Sequence, residues 1–360
     1  SKNFSYFLSL LAFCTVAICS CEGKDNATRD DNIVNDTLKK TEYKNPVFEP
    51  VLADPSVIRD PDTKLFYAYG TEDNWADGGG SRLVPILQSA NLTRWKVAGN
   101  AFRTKPGWKQ QGGIWAPDIN FINGKYFMYY SFSTWGDKNP GIGLATADTP
   151  TGPFIDQGKI LDSYDMDVPN SIDPFYISDN SHNYLFWGSY SNEFTQGIHA
   201  IELSEDSRTI KEGAAKVKIA AGDFEAVMIH KRQGYYYFFG SKGSCCEGVS
   251  SNYHVMIARS ENLTGPYLDK NGNKITDRGN GSPLLKGNDK YVGTGHNSNI
   301  ITDKDGQDWM LYHAIDKNQG KLPNGTSRRV LMLDRINWIA GWPEISNGTP
   351  STKINAAPHF

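Results

Sequence analysis

One arrangement of residues is written five times along this chain. A short apolar stretch bearing a single acid, or once a histidine, precedes a run of aromatic and aliphatic residues. Ala53-Asp54-Pro-Ser-Val-Ile leads into Leu65-Phe-Tyr-Ala-Tyr-Gly, and Ile114-Trp115-Ala-Pro-Asp118-Ile leads into Lys125-Tyr-Phe-Met-Tyr-Tyr-Ser. Ser171-Ile-Asp173-Pro-Phe is followed by Asn183-Tyr-Leu-Phe-Trp-Gly-Ser, and Asp223-Phe-Glu225-Ala-Val by Gly234-Tyr-Tyr-Tyr-Phe-Phe-Gly-Ser. The last copy joins Gly295-His296-Asn-Ser to Asp308-Trp-Met-Leu-Tyr-His. Asp54, Asp118, Asp173, Glu225 and His296 stand 64, 55, 52 and 71 positions apart. A period of this size is the mark of an array of similar units.

Each unit continues past its aromatic strand. Gly143-Leu-Ala-Thr-Ala-Asp-Thr-Pro-Thr-Gly-Pro and Val255-Met-Ile-Ala-Arg-Ser-Glu-Asn-Leu-Thr-Gly-Pro are third strands ending in a shared turn. A weaker fourth strand follows, such as Lys216-Val-Lys-Ile. The 35 glycines and 18 prolines suit many tight turns, and no 3.6-residue periodicity is sustained. Four antiparallel strands per unit and five units predict an all-β, five-bladed propeller. The first strand of each blade then lines the central channel, and the five acid or histidine positions converge on one opening. Four carboxylates at matching inner positions are hard to attribute to packing, since a buried charge needs a partner or a role.

A net charge of −3 with no basic stripe argues against nucleic acid as a partner. Residues 1–21 have the layout of a signal peptide: Lys2, an apolar run over 4–19, and Ile18-Cys-Ser-Cys21. That ending is lipobox-like and marks Cys21 for lipidation, so the only expected contact with a membrane is a lipid anchor in a bacterial cell envelope, on the outer surface or the periplasmic face. Residues 22–44 are polar and read as a flexible tether, leaving 45–360 as one propeller domain, expected to be monomeric. Cys245 and Cys246 are adjacent, an arrangement unfavourable to a disulfide. Two small apolar thiols are expected, with a vicinal disulfide near the binding face as the other possibility.

Acids sharing one cavity cannot all ionise alike. Asp54 has no acid beside it and is expected to stay charged. Glu225, flanked by Phe224, Ala226 and Val227 and facing Asp173, is expected to hold its proton. An ionised carboxylate opposite a carboxylic acid is the equipment of glycoside hydrolysis. Trp75, Trp115, Phe175 and Trp187 are candidates to stack on sugar rings, or to pack between blades.

Ala-Asp54-Pro-Ser, Gly-Ile-Trp-Ala-Pro-Asp118, Asn170-Ser-Ile-Asp173-Pro, Phe-Glu225-Ala and Gly-His296-Asn-Ser resemble the successive blade motifs of glycoside hydrolase family 43. The resemblance runs from residue 45 to 343, and within the family it is strongest to arabinanases acting on α-1,5-L-arabinan of plant cell walls. It implies inverting single displacement, with Asp54 as base, Glu225 as acid, and Asp173 orienting substrate and tuning Glu225. It implies substrate contacts at Trp115, Asn170 and Ser189, with Asp118 at a binding or channel position. His296 matches a histidine that ligates a channel calcium ion largely through waters, an unusual role for nitrogen because calcium prefers oxygen. The rivals are an exo-acting α-L-arabinofuranosidase or β-xylosidase on the same scaffold, and a non-catalytic glycan-binding lipoprotein.

Overall fold

The aromatic runs form the second strands of five antiparallel sheets, and they are apolar throughout because each sheet is packed on both faces. Phe66–Tyr69 is buried at every position, and so is Lys125–Ser133 after its first residue. The computed structural model describes residues 34–192 and 196–360. Blade 1 comprises Ser56–Arg59, Phe66–Tyr69, Pro85–Ser89 and Lys96–Asn100. Blade 2 comprises Gly113–Ile122, Lys125–Ser133, Gly141–Ala147 and Ile155–Asp162. Blade 3 runs through Phe175–Asp179, His182–Trp187, Gly197–Leu203 and Val217–Ala221, and blade 4 through Glu225–Arg232, Tyr235–Lys242, His254–Ser260 and Ser282–Leu285. Blade 5 uses Tyr291–Gly295, Asp308–Asp316, Arg329–Ile339 and Trp342–Glu344, with Ile301–Thr302 extending its broken first strand. The five-bladed, all-β propeller is the observed fold.

Five apolar clusters fill the five seams. Leu185 and Trp187 meet Phe127 and Tyr129 between blades 2 and 3, for example, and Tyr312 and Val330 meet Tyr237 and Val255 between blades 4 and 5. Trp187 is fully buried, with its indole N–H donated to Ser171 Oγ. Emptying such a site by truncation to alanine costs about 3–5 kcal/mol. Trp187 and Trp75 are therefore seam residues, the packing alternative for both.

Ring closure involves residues expected to be tether. Glu42–Tyr43 pairs with Asn355–Ala356, Tyr43 is buried with its hydroxyl on Leu333 O, and Leu52 N donates to Arg329 O. Residues 34–44 thus belong to the folded body, because one aromatic in a polar stretch suffices to anchor it in the seam between blades 5 and 1. The signal segment 1–21, with Cys21, and residues 22–33 lie outside the described residues. The stretch 269–291, rich in Gly, Asn and Lys, contains the fourth strand of blade 4, Ser282–Leu285.

Candidate active site

A backbone repeat underlies the side-chain repeat. Asp54, Ala116, Asp173, Ala226 and His296 all adopt left-handed φ values, between 44° and 60°. In blades 2 and 4 the turn forms a bulge in the first strand, and in blade 5 it breaks the strand. Non-glycine residues pay for this conformation unless their surroundings hold it. Here each left-handed N–H donates to a side chain of the preceding blade. Ala116 N donates to Thr71 Oγ1 at 2.9 Å, Asp173 N to Ser131 Oγ at 2.8 Å and His296 N to Ser241 Oγ at 3.0 Å. Asp54 N donates to His313 Nδ1 at 3.0 Å, which carries the ring from blade 5 into blade 1. Ala226 N is also served from the preceding blade, but by Asp173 Oδ2 at 3.1 Å, from the head of the inner strand instead of the end of the aromatic run. Ser189, at the position that would have served it, donates instead to Glu225 Oε2 at 2.7 Å.

Asp54 and Glu225 are both buried but in opposite company. Arg329 Nη1 lies 3.1 and 3.3 Å from the two Asp54 oxygens, His296 Nδ1 lies 3.0 Å away, and Thr71 donates its hydroxyl. Burial alone would raise the Asp54 pKa, but Arg329 and then His296 hold it well below the usual carboxylate range. Glu225 receives only hydroxyls, from Ser189 and Tyr253. Burial dominates there and raises its pKa. Asp173 is raised as well, by burial and then by Glu225 and Asp54 against the counteracting His296. The Asp173–Glu225 pair therefore retains a proton when Asp54 has none. A hydroxyl can donate or accept, so Ser189 and Tyr253 suit Glu225 in either protonation state.

All five blades line the cleft above these groups, about 1080 Å³ in volume. That stands at the upper end of the usual range of small-ligand pockets, about 300–1,000 Å³.

The model for glycosyl hydrolases family 43 matches residues 43–343. The chain belongs to this family. Among its relatives, an extracellular endo-α-(1→5)-L-arabinanase of Bacillus subtilis is 34% identical over 310 residues, covering 81% of this chain and 87% of the relative. An extracellular exo-α-(1→5)-L-arabinofuranosidase of Cellvibrio japonicus is 32% identical, with 81% and 85% covered. The solved structure of Cellvibrio cellulosa α-L-arabinanase complexed with arabinohexaose superposes with a TM-score of 0.71 at 30% identity, covering 82% of this chain and 96% of that one. As a family 43 member, the protein is a glycosidase.

Within this family 43 cleft lie Asp54, Trp115, Asn170, Asp173, Ser189, Glu225 and His296. Asp118 is not among the lining residues. It is buried, accepts the Tyr176 N–H at 2.8 Å and holds Asn120. Ser56 does the same for Ile119 N, and Asn299 for Val57 N, so Asp118 belongs to a second tier of bonds between blades. Its offset has a simple origin: Ala116, not Asp118, occupies the left-handed position in blade 2. Asp223 faces away, paired with Lys242 at 2.9 Å.

Sequence reasoning missed Thr71, Tyr253, His313 and Arg329 as partners of the acids, along with Trp135, which is 81% exposed with its ring 5.5 Å from Trp115. The polar residues ending the aromatic runs, Thr71, Ser131, Ser189, Ser241 and His313, were the available signal. Cys245 and Cys246 form a disulfide on the cleft wall, not two free thiols. Their loop is closed by bonds from Ser244 to Asn252 and from Glu247 N to Ser251, so the peptide between the cysteines does not stand in isolation.

No three His, Cys, Asp or Glu side chains form a metal-binding group among the described residues. Nδ1 of His296 is turned to Asp54, which leaves only Nε2 for an ion. Burial lowers the His296 pKa, but Asp54 and the other two acids outweigh it and raise the value to about 9. Protonation and metal ligation at His296 therefore exclude one another. The donor set fits only a hydrated cation with a single protein ligand.

Proposed function

We propose that this family 43 glycosidase is an endo-acting arabinanase that hydrolyses α-1,5-L-arabinofuranosidic linkages by inverting single displacement. The observation that carries the mechanism is the contrast between an Asp54 paired with the Arg329 guanidinium and His296 and a Glu225 that receives only hydroxyls. Asp54, ionised, takes a proton from the attacking water as its oxygen bonds to the anomeric carbon. Glu225 gives its proton to the departing glycosidic oxygen. Asp173, joined to the Ala226 N–H beside Glu225, orients substrate and keeps Glu225 protonated by its own proximity. Trp115, Asn170 and Ser189 contact the sugar chain. The similarity to arabinan-degrading relatives supports the substrate class.

The competing mode is exo action, which the Cellvibrio japonicus relative's name carries. Product chromatography on linear arabinan, branched arabinan and xylan tests both substrate and mode. Short arabino-oligosaccharides as early products support the proposal, whereas arabinose alone or xylose refutes it.

A calcium ion beside His296, held mostly through waters, is part of the proposal, supplying positive charge in the channel. Chelation that leaves both the melting temperature and the activity unchanged removes it. The enzyme is proposed to be monomeric and to act outside the cytoplasm, attached to the cell envelope through a lipid on Cys21. Unaltered maturation when signal peptidase II is blocked rules the anchor out.

A further inference from the structure

His313 is fully buried on the second strand of blade 5, set between the two halves of the site. Its Nδ1 accepts the Asp54 N–H at 3.0 Å. Its ring stacks on Tyr253, with centroids 5.7 Å apart and planes 3° from parallel, and Tyr253 is a hydroxyl donor to Glu225. Burial, and then the Arg329 guanidinium, keep the imidazole neutral by lowering its pKa well below the ordinary value. An amide hydrogen aimed at Nδ1 requires a lone pair there, so the neutral ring carries its proton on Nε2. Nε2 meets no protein acceptor.

The same duty is done by hydroxyls on three other blades: Thr71, Ser131 and Ser241. A hydroxyl would satisfy the Asp54 amide without leaving a buried ring nitrogen unmatched. Thr71 shows what else a hydroxyl does, because it accepts from Ala116 and donates to the Asp54 carboxylate. At blade 5 the accepting atom lies 3.5 Å from Asp54 Oδ1. A hydroxyl placed there has a proton to offer that oxygen. The His313 ring has none on that side.

We propose that His313 is a positioning residue for the base: it pins the left-handed Asp54 backbone through an acceptor-only atom, adding no donor to the carboxylate that must receive a proton. The proposal rests on Asp54 being the base. Each donor already on Asp54 favours its charged form and weakens it as a proton acceptor. One more would act against the reaction, while loss of the amide bond would free the carboxylate to shift.

Two variants separate the roles of the ring. His313→Phe keeps a ring against Tyr253 and removes the acceptor. His313→Asn puts Oδ1 near the place of Nδ1 and removes the ring. The expected result is a fall in kcat of about 100-fold for His313→Phe, as for a misplaced catalytic group, with KM changed less than about twofold. His313→Asn should keep kcat within about tenfold of wild type. Equal losses in the two folded variants, or wild-type kcat in His313→Phe, overturn the proposal. If His313→Phe does not fold, a folded His313→Asn with kcat down about 100-fold overturns it instead. Two-bond proton–nitrogen correlations on histidine-labelled wild-type enzyme should report the Nε2–H tautomer for His313, and a proton on Nδ1 sinks the idea. Asp54→Asn is the control. If it hydrolyses arabinan at the wild-type rate, the base assignment fails; if it is inactive while His313→Phe is not, only the role of His313 fails.

Discussion

The seam between blades 5 and 1 and the seam between blades 3 and 4 each bury a carboxyl group in the same cleft. Asp54 is 8% exposed, Glu225 9% and Asp173 6%. Equal burial has opposite consequences. At the first seam Arg329, His296 and Thr71 surround Asp54 and hold it ionised. At the second, Ser189 and Tyr253 offer Glu225 hydroxyl groups without charge, and burial prevails. Partners, not depth, divide the labour between acid and base. The pH profile follows with a definite sign. Activity should be lost at low pH only once Asp54 protonates, well below the usual carboxylate range, and lost at high pH when the raised Asp173–Glu225 pair gives up its proton.

The contrast breaks most severely when a reacting group is replaced. Asp54→Asn and Glu225→Gln should each lower kcat on linear arabinan by about 10³-fold, with shape nearly conserved. Arg329→Met comes next, because it leaves Asp54 buried without its strongest counter-charge. Unfolding in urea should show a loss of about 3–5 kcal/mol, and the acid limb of the pH profile should move upward as Asp54 becomes easier to protonate. Tyr253→Phe acts on the other seam. The Tyr253 hydroxyl lowers the Glu225 pKa, so removing it should push the basic limb to higher pH and reduce kcat about tenfold. Asp118→Asn should leave kcat and KM unaltered. Burial raises the Asp118 pKa to about 7, so its contribution to stability is full below the ordinary carboxylate value and is lost as pH rises through about 7. The asparagine variant should therefore lose less melting temperature between pH 5 and pH 8 than the wild type does.

The fold was legible because its period is long and its strands are apolar on both faces. Five aromatic runs could only be central strands of stacked sheets. Asp54, Asp173 and Glu225 were legible as cleft residues because each sits beside the start of an inner strand. Asp118 resembled them in spacing, yet a two-residue offset from Ala116 places it between blades. Linear spacing does not record which residue takes the left-handed turn. Arg329 and His313 were hidden for a different reason. Each lies more than 250 residues from Asp54, and only ring closure brings them to it. The folded stretch over 34–44 escaped notice likewise, since its partners Leu333 and Asn355 come from the far end of the chain.

That closing seam has a consequence for the order in which the site comes into being. A ribosome delivers Asp54 early, long before His296, His313 and Arg329 exist. Without the last blade, Asp54 lacks Arg329, His296 and His313 as partners. Residues 42–52 have no strand to join, and the cleft lacks one of its five walls. The catalytic inequality between Asp54 and Glu225 is therefore switched on by blade 5, the strands between Tyr291 and Glu344. A chain that stops short of Arg329 carries all three acids and no working base.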